Sequence, residues 1–146
     1  MTQDKLNETL LGAIWTITIV AVAGSLFYSE VMVFVPCELC WVQRIFMYPL
    51  TIIYGVALWK RKLEIALPGL ILSIIGICFS IYHYSMQKLP ALQEAGSMCR
   101  TVPCNLQYVN YFGFITIPFL AGLSFLSVIT LHFILIKHQR RQTNEI

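Results

Sequence analysis

Charge is what this chain has least of. Ten Lys or Arg and seven Asp or Glu are spread over 146 residues, 12% of the whole. An ordinary soluble domain carries about 25%, so the sequence argues against one. Other absences narrow the function. No basic tract is interleaved with aromatics, which leaves nucleic-acid binding without support. There is no glycine-rich loop to cradle a phosphate, and no Ser-His-Asp set falls in one polar region. No pair of carboxylates lies inside an apolar run, as proton or ion transport would require. The first apolar run is too long for a secretory signal and lacks a basic leader and a small-x-small cleavage site.

What the chain does have is apolar length. Hydrophobic residues make up 58% of it, and the mean hydropathy is +0.72. Four charge-poor runs, near residues 9–29, 41–59, 65–84 and 112–136, each reach the roughly 20 residues a bilayer crossing needs. The expected fold is all-α, a four-helix transmembrane bundle forming a single integral-membrane domain. Outer loops span 30–40 and 85–111. Lys5, Lys60, Arg61, Lys62, Lys137, Arg140 and Arg141 gather on one side, against Arg44, Lys88 and Arg100 on the other. The positive-inside rule then puts both termini in the cytoplasm and both loops outside.

That orientation sorts the cysteines. Cys37 and Cys40 fall at the outer mouth of the second span, and Cys99 and Cys104 in the long outer loop. Pairs on the oxidising side of a membrane can be disulfides. Cys78 lies within the third span and reads as a small buried hydrophobe. Small residues in the first span (Gly12, Ala13, Ala21, Ala23, Gly24, Ser25) read as surface for close helix packing, as do Gly122, Ser124 and Ser127 in the fourth.

The chemistry concentrates in Pro36-Cys37-Glu38-Leu39-Cys40-Trp41-Val42-Gln43-Arg44. Two residues between cysteines let the sulfurs reach bonding distance. The apolar run from Trp41 puts the pair at a helix N-terminus, where free N–H groups and the helix dipole favour a thiolate. Arg44 stands one turn beyond Cys40 on the same face. A thiolate at Cys40 is then next to a fixed positive charge. Glu38 opposes that charge and is expected to face water. Pro49, two turns in, should kink the helix, making room for a flat ligand or merely loosening the packing. His83, between Tyr82 and Tyr84, lies at similar depth. It reads as an interfacial histidine or as a hydrogen-bond partner for a ligand near Arg44. In the long loop, Leu89–Ala95 with Pro90 early and Gly96 after it suggests a short surface helix. Cys99-Arg100-Thr101-Val102-Pro103-Cys104 can close a small ring, with Arg100 favouring the Cys99 thiolate.

Cys37–Arg44, four spans, a second outer cysteine pair and the Gly113–Pro118 entry to the last span closely resemble the DsbB/BdbC family of disulfide-bond formation membrane proteins. The resemblance implies a thiol:quinone oxidoreductase of the bacterial cell membrane. Such a protein reoxidises an extracytoplasmic DsbA/BdbD-like thiol oxidase and passes the electrons to a membrane quinone, ubiquinone or menaquinone. It implies Cys40 beside the quinone with Cys37 as its disulfide partner, Cys99 as the sulfur the partner attacks, and Cys104 as the one that resolves toward Cys37. Arg44, His83 and Gln43 are implied at the quinone, Gln43 standing where some members carry a glutamate. No metal is expected. The chain departs from longer-loop members in the narrow gap between Cys99 and Cys104. Two other readings fit the cysteines alone: a vitamin K epoxide reductase-like protein, and a structural membrane protein with static disulfides or a four-cysteine zinc clip.

Overall fold

The computed structural model describes residues 2–97 and 99–144. It is helical throughout, with no strand among the described residues. Helix α1 (Thr2–Leu26) runs into a π-helical turn, Phe27–Val31, and α2 covers Glu38–Lys60. A 3₁₀ turn, Leu63–Ala66, leads into α3 (Leu67–Lys88), followed by the short α4 (Pro90–Ser97) and by α5 (Ile117–Asn144). Four of these helices are long and apolar enough to cross a membrane. α1 packs on α2 and α5, and α3 packs on the same two, so α1 and α3 occupy opposite corners of a square. Glu8 of α1 meets Arg61 after α2 at 2.9 Å, and Asn7 meets His138 of α5 at 3.1 Å. The termini and the Lys60–Lys62 turn therefore share one end of the bundle, and the two cysteine pairs share the other.

The packing is that of a bundle in lipid. Large apolar side chains such as Val20, Ile45, Ile52 and Ile71 point outward, while Thr18, Ser73, Ser80 and His132 are buried. Lipid offers no hydrogen bonds, so inward polar groups must find partners within the protein. Ser73 donates to Gly69 O at 2.8 Å and Thr18 to Trp15 O at 2.7 Å. Tyr54 and His132 share a 2.8 Å hydrogen bond amid Leu50, Phe125, Val128 and Leu135. The sequence reading took α5 as plain packing surface and missed that buried pair.

Several expectations shift. The first span was expected to use its glycines for close packing, but a Cβ at Gly12 or Gly24 would meet nothing within 4 Å. The closest approaches are on α3, where a Cβ at Gly76 would lie 2.5 Å from Phe125 and one at Gly69 2.7 Å from Tyr54; α1 meets a glycine of α2 instead, a Cβ at Gly55 lying 2.9 Å from Trp15. Cys78 is exposed on the outside of the bundle, not buried. The last helix starts at Ile117, five residues after Phe112, because Tyr111 and Ile115 close a tight bridge through positive φ at Phe112 and Gly113. The surface helix forms as Pro90–Ser97, so Gly96 lies within its last turn instead of ending it.

Gly76→Ala should therefore push α3 from α5 and lower stability by about 1–3 kcal/mol, the usual cost of overpacking. Gly12→Ala should cost nothing and can gain up to about 1 kcal/mol of helix propensity. Thermal unfolding of the detergent-solubilised variants measures both, and equal losses would contradict this packing.

Candidate functional site

The site begins where α2 begins. Cys37 is its N-cap, in extended conformation, and the Trp41 N–H closes the first turn on Cys37 O at 3.1 Å. Pro36 ahead of it cannot extend the helix backward. The helix thus starts at Glu38, and Cys40 lies inside its first turn. The two sulfurs are 3.1 Å apart as free thiols. Cys37 is buried and Cys40 half-buried.

The long loop folds down onto this turn. Cys99 and Cys104 are joined as a disulfide. Cys104, fully buried, packs with Cys37 and Met86 in one apolar cluster that Cys40, Leu92, Cys99 and Val102 border. Glu38 does not simply face water: its carboxylate accepts the Arg100 main-chain N–H at 3.4 Å. Gln87, which the sequence reading passed over, and Lys88, which it counted only for orientation, fasten the loop to the end of α3. The Gln87 side-chain amide donates to Leu106 O at 3.1 Å, and the Gln87 main-chain carbonyl accepts from the Gln107 side chain at 2.8 Å. Lys88 donates to Gly113 O at 2.7 Å. The one clue was two uncharged or cationic polar residues a turn beyond His83, at the end of an apolar helix.

On the other side of the pair, α1, α2 and α5 enclose a cavity of about 430 Å³, within the range of small-molecule sites. Cys40, Gln43, Arg44 and Met47 line it from α2, the i, i+3, i+4, i+7 face of a helix. Val20, Ala21 and Gly24 line it from α1, and Leu120 and Ala121 from α5. Gly24 thus leaves open space beside the cavity and makes no close helix contact. Arg44 is pinned there. Its Nε donates to Ser25 Oγ at 2.9 Å and its Nη2 to Ser25 O at 3.0 Å, while its guanidinium lies 5.2 Å from the Trp41 ring centre. Ser25 was read from the sequence as packing; nothing in a lone serine marks it as an arginine's anchor. Tyr28, Phe34 and Tyr108 stack in series at 6.2 and 4.9 Å, and all three border the cavity.

His83 is not in that cavity wall. It is buried behind the pair, with Nε2 3.7 Å from Cys37 Sγ and 3.1 Å from Cys104 O, and Nδ1 3.3 Å from Gln43 Nε2. One sequence reading put His83 beside a ligand near Arg44 because both lie at one depth; His83, on α3, instead meets Cys37 and Gln43, while Arg44 turns to Ser25 of α1. Gln43 belongs to both sides, lining the cavity and touching His83. The thiolate moves as well. Arg44 is engaged with Ser25, and it is Cys37 that lies below the usual thiol range. The Cys40 thiol hydrogen-bonds it, against the opposing effect of burial, and the hydrogen bond to His83 adds to the lowering.

Two sulfurs and one imidazole nitrogen within 4.8 Å have the donor types of a soft-metal site, but Nε2 is already turned to the Cys104 carbonyl. The disulfide removes the other two thiols, so a four-cysteine clip is not formed.

A protein-family model described as "Disulfide bond formation protein DsbB" matches residues 7–135. The chain is 55% identical over 139 residues to the probable disulfide formation protein of Oceanobacillus iheyensis, covering 94% of this chain and 96% of that one. It is 45% identical over 139 residues to probable disulfide formation protein C 1 of Bacillus cereus, covering 95% and 100%. With disulfide bond formation protein C of Bacillus subtilis it shares 45% over 125 residues, 86% of this chain and 91% of the other. No solved structure matches.

Reactivity should follow the lowered Cys37 thiol. In reduced protein, iodoacetamide should label Cys37 ahead of Cys40. Labelling should persist below the usual thiol pKa of about 8.5, then fade as pH falls through the Cys37 value and the thiolate is protonated. Peptide mapping by mass spectrometry reads this, and preferential labelling of Cys40 at pH 6–7 would contradict it.

Proposed function

Because this chain belongs to the DsbB family of disulfide bond formation proteins, membrane oxidoreductases, we propose that it is a thiol:quinone oxidoreductase. It reoxidises a thioredoxin-fold thiol oxidase outside the cytoplasmic membrane and passes the electrons through its two cysteine pairs to a membrane quinone. One observation carries this reading. Cys40 stands in the wall of an apolar cavity with Arg44, while Cys37, one turn back, packs against the outer disulfide. A sulfur pair so placed touches an apolar space on one side and a disulfide on the other. The distribution of Lys and Arg supports the pairs facing outward.

The residues divide the work. The partner's thiolate attacks Cys99, the less buried sulfur of the outer pair, and Cys104 leaves as a thiolate. The partner's second thiol attacks its own mixed-disulfide sulfur, so the partner departs oxidised and Cys99 is freed. Cys104 then attacks Cys37 of an oxidised inner pair, and Cys40 leaves with the electron pair. Cys99 attacks Cys104, restoring the outer disulfide and releasing Cys37. The outcome, outer pair joined and inner pair free, is the cysteine arrangement of the structure.

The cavity fits a quinone: its walls are mostly apolar, with few polar groups, among them Arg44 and Gln43 beside Cys40. When bound, a quinone takes up two electrons and two protons and leaves as the quinol. Arg44 and Gln43 would donate hydrogen bonds to its oxygens, and Ser25 keeps the guanidinium in place. The α2 N-terminus stabilises negative charge on the inner pair, and the apolar walls exclude water.

Cys40→Ser should abolish quinone reduction. Cys99→Ser should abolish oxidation of a thioredoxin-fold protein yet still reduce quinone from dithiothreitol. Arg44→Ala should raise the quinone KM about tenfold, the loss of one charged hydrogen bond of about 1.4 kcal/mol. Quinone absorbance with purified protein follows all three. Equal activity of the two cysteine variants toward the protein substrate would overturn the assigned roles.

A further inference from the structure

His83 is held from two sides, and the two contacts fix which nitrogen bears its hydrogen. Nε2 lies 3.1 Å from the Cys104 carbonyl oxygen. A carbonyl only accepts, so Nε2 carries a hydrogen. In the neutral ring Nδ1 is then a bare acceptor, and the group 3.3 Å from it is the Gln43 amide nitrogen, a donor. The amide of a glutamine can be assigned either way round, but the carbonyl removes that freedom here. The other tautomer would set a nitrogen lone pair against the carbonyl oxygen and, at 3.7 Å, against Cys37 Sγ.

On the relay proposed above, we propose that His83 is a catalytic hydrogen-bond donor in the transfer between the two cysteine pairs, acting on Cys37 Sγ, with Gln43 as its positioning residue. It serves the sulfur exchange and does not bind the quinone. The step is the last exchange within the chain. The Cys99 thiolate attacks Cys104 of a Cys37–Cys104 disulfide. The Cys99–Cys104 bond forms, the Cys37–Cys104 bond breaks, and the electron pair goes to Cys37 Sγ. The Nε2–H, shared until then with the Cys104 carbonyl, meets that new charge. His83 loses no proton. Gln43 acts by keeping Nδ1 an acceptor, so that the hydrogen stays on the nitrogen facing sulfur.

The surroundings suit a hydrogen bond of this kind. His83 is buried, where such a bond to an anion is strengthened. The titratable groups bordering its small enclosure are Cys37 and Cys40 from α2 and Tyr108 from the loop, and α5 contributes only Ile117 and Pro118. Of the charged residues in the first two turns of α2, Arg44 lines the other cavity and Glu38 accepts the Arg100 main-chain N–H.

The test separates the two chemistries. Fully reduced full-length protein is mixed with two equivalents of a short-chain benzoquinone, quenched in acid at intervals, alkylated and mapped by mass spectrometry. The Cys37–Cys40 bond forms first, by quinone; the Cys99–Cys104 bond forms second, by transfer between pairs. His83→Leu should slow the second phase about tenfold or more, the effect of one charged hydrogen bond, and leave the first within about twofold. His83→Gln, which keeps an N–H donor, should restore most of the second phase; should His83→Leu not fold, Gln43→Leu carries the test on Cys37 labelling alone, because Gln43 also lines the quinone cavity. In a Cys40→Ser background, His83→Leu and Gln43→Leu should each cut iodoacetamide labelling of Cys37 at pH 6 severalfold, with His83→Gln close to the parent. Slowing of the first phase alone by His83→Leu would make His83 a quinone ligand and overturn the proposal, as would both phases and the labelling staying unchanged. If the unsubstituted protein shows no first phase, the quinone reading fails, and Cys37 labelling still decides whether His83 acts on that sulfur.

Discussion

On the proposed relay, a sulfur pair that serves a lipid-side oxidant and an outer thiol partner must be reachable from both without joining them. The N-terminus of α2 meets that constraint with one turn of helix. Cys37, as N-cap, faces the folded loop, and Cys40, three residues on, faces the apolar cavity. The rest of the outer end is arranged about this division. Gln87 and Lys88 tie the loop down on one side. Ser25 ties Arg44 across the cavity on the other. Gln43 lines the cavity and reaches His83 on the other side.

The bundle below follows from solvent. With lipid outside, apolar side chains gain nothing by turning inward, so association rests on close packing and internal hydrogen bonds. Gly69 and Gly76 let Tyr54 and Phe125 approach α3. Tyr54 is then near enough to His132 to satisfy a polar group that lipid would strand. α1 makes no such close contacts at Gly12 or Gly24. Its looser outer end, passing into a π turn at Phe27, borders the cavity. Tight packing on α3 and open space beside α1 put the room where the sulfur and the arginine are.

Much of this was legible in the chain because it rests on local rules. Hydropathy gave four spans, and basic residues gave their relative direction. The Cys-x-x-Cys spacing marked a helix start, and i, i+4 spacing put Arg44 on the Cys40 face, where the cavity has it. The resemblance carried by Cys37–Arg44 led to the family that the comparisons establish. Less was legible wherever depth stood in for direction. His83 and Arg44 are level along the bundle, yet a sequence says nothing of which side of α2 the α3 helix approaches. Cys78 looked buried because its neighbours are apolar, but in lipid apolar neighbours mark the outside equally well.

The sequence alone determined the class of molecule, the number of crossings and the residues that carry sulfur chemistry, since hydropathy, charge and spacing act over one or two turns. Only the tertiary structure decided that the outer loop packs on Cys37, that Ser25 holds Arg44, and that His83 stands between Cys37 and the Cys104 carbonyl. Those facts join residues from 19 positions apart, Ser25 and Arg44, to 67, Cys37 and Cys104, and contact at that separation depends on how whole helices are rotated against one another.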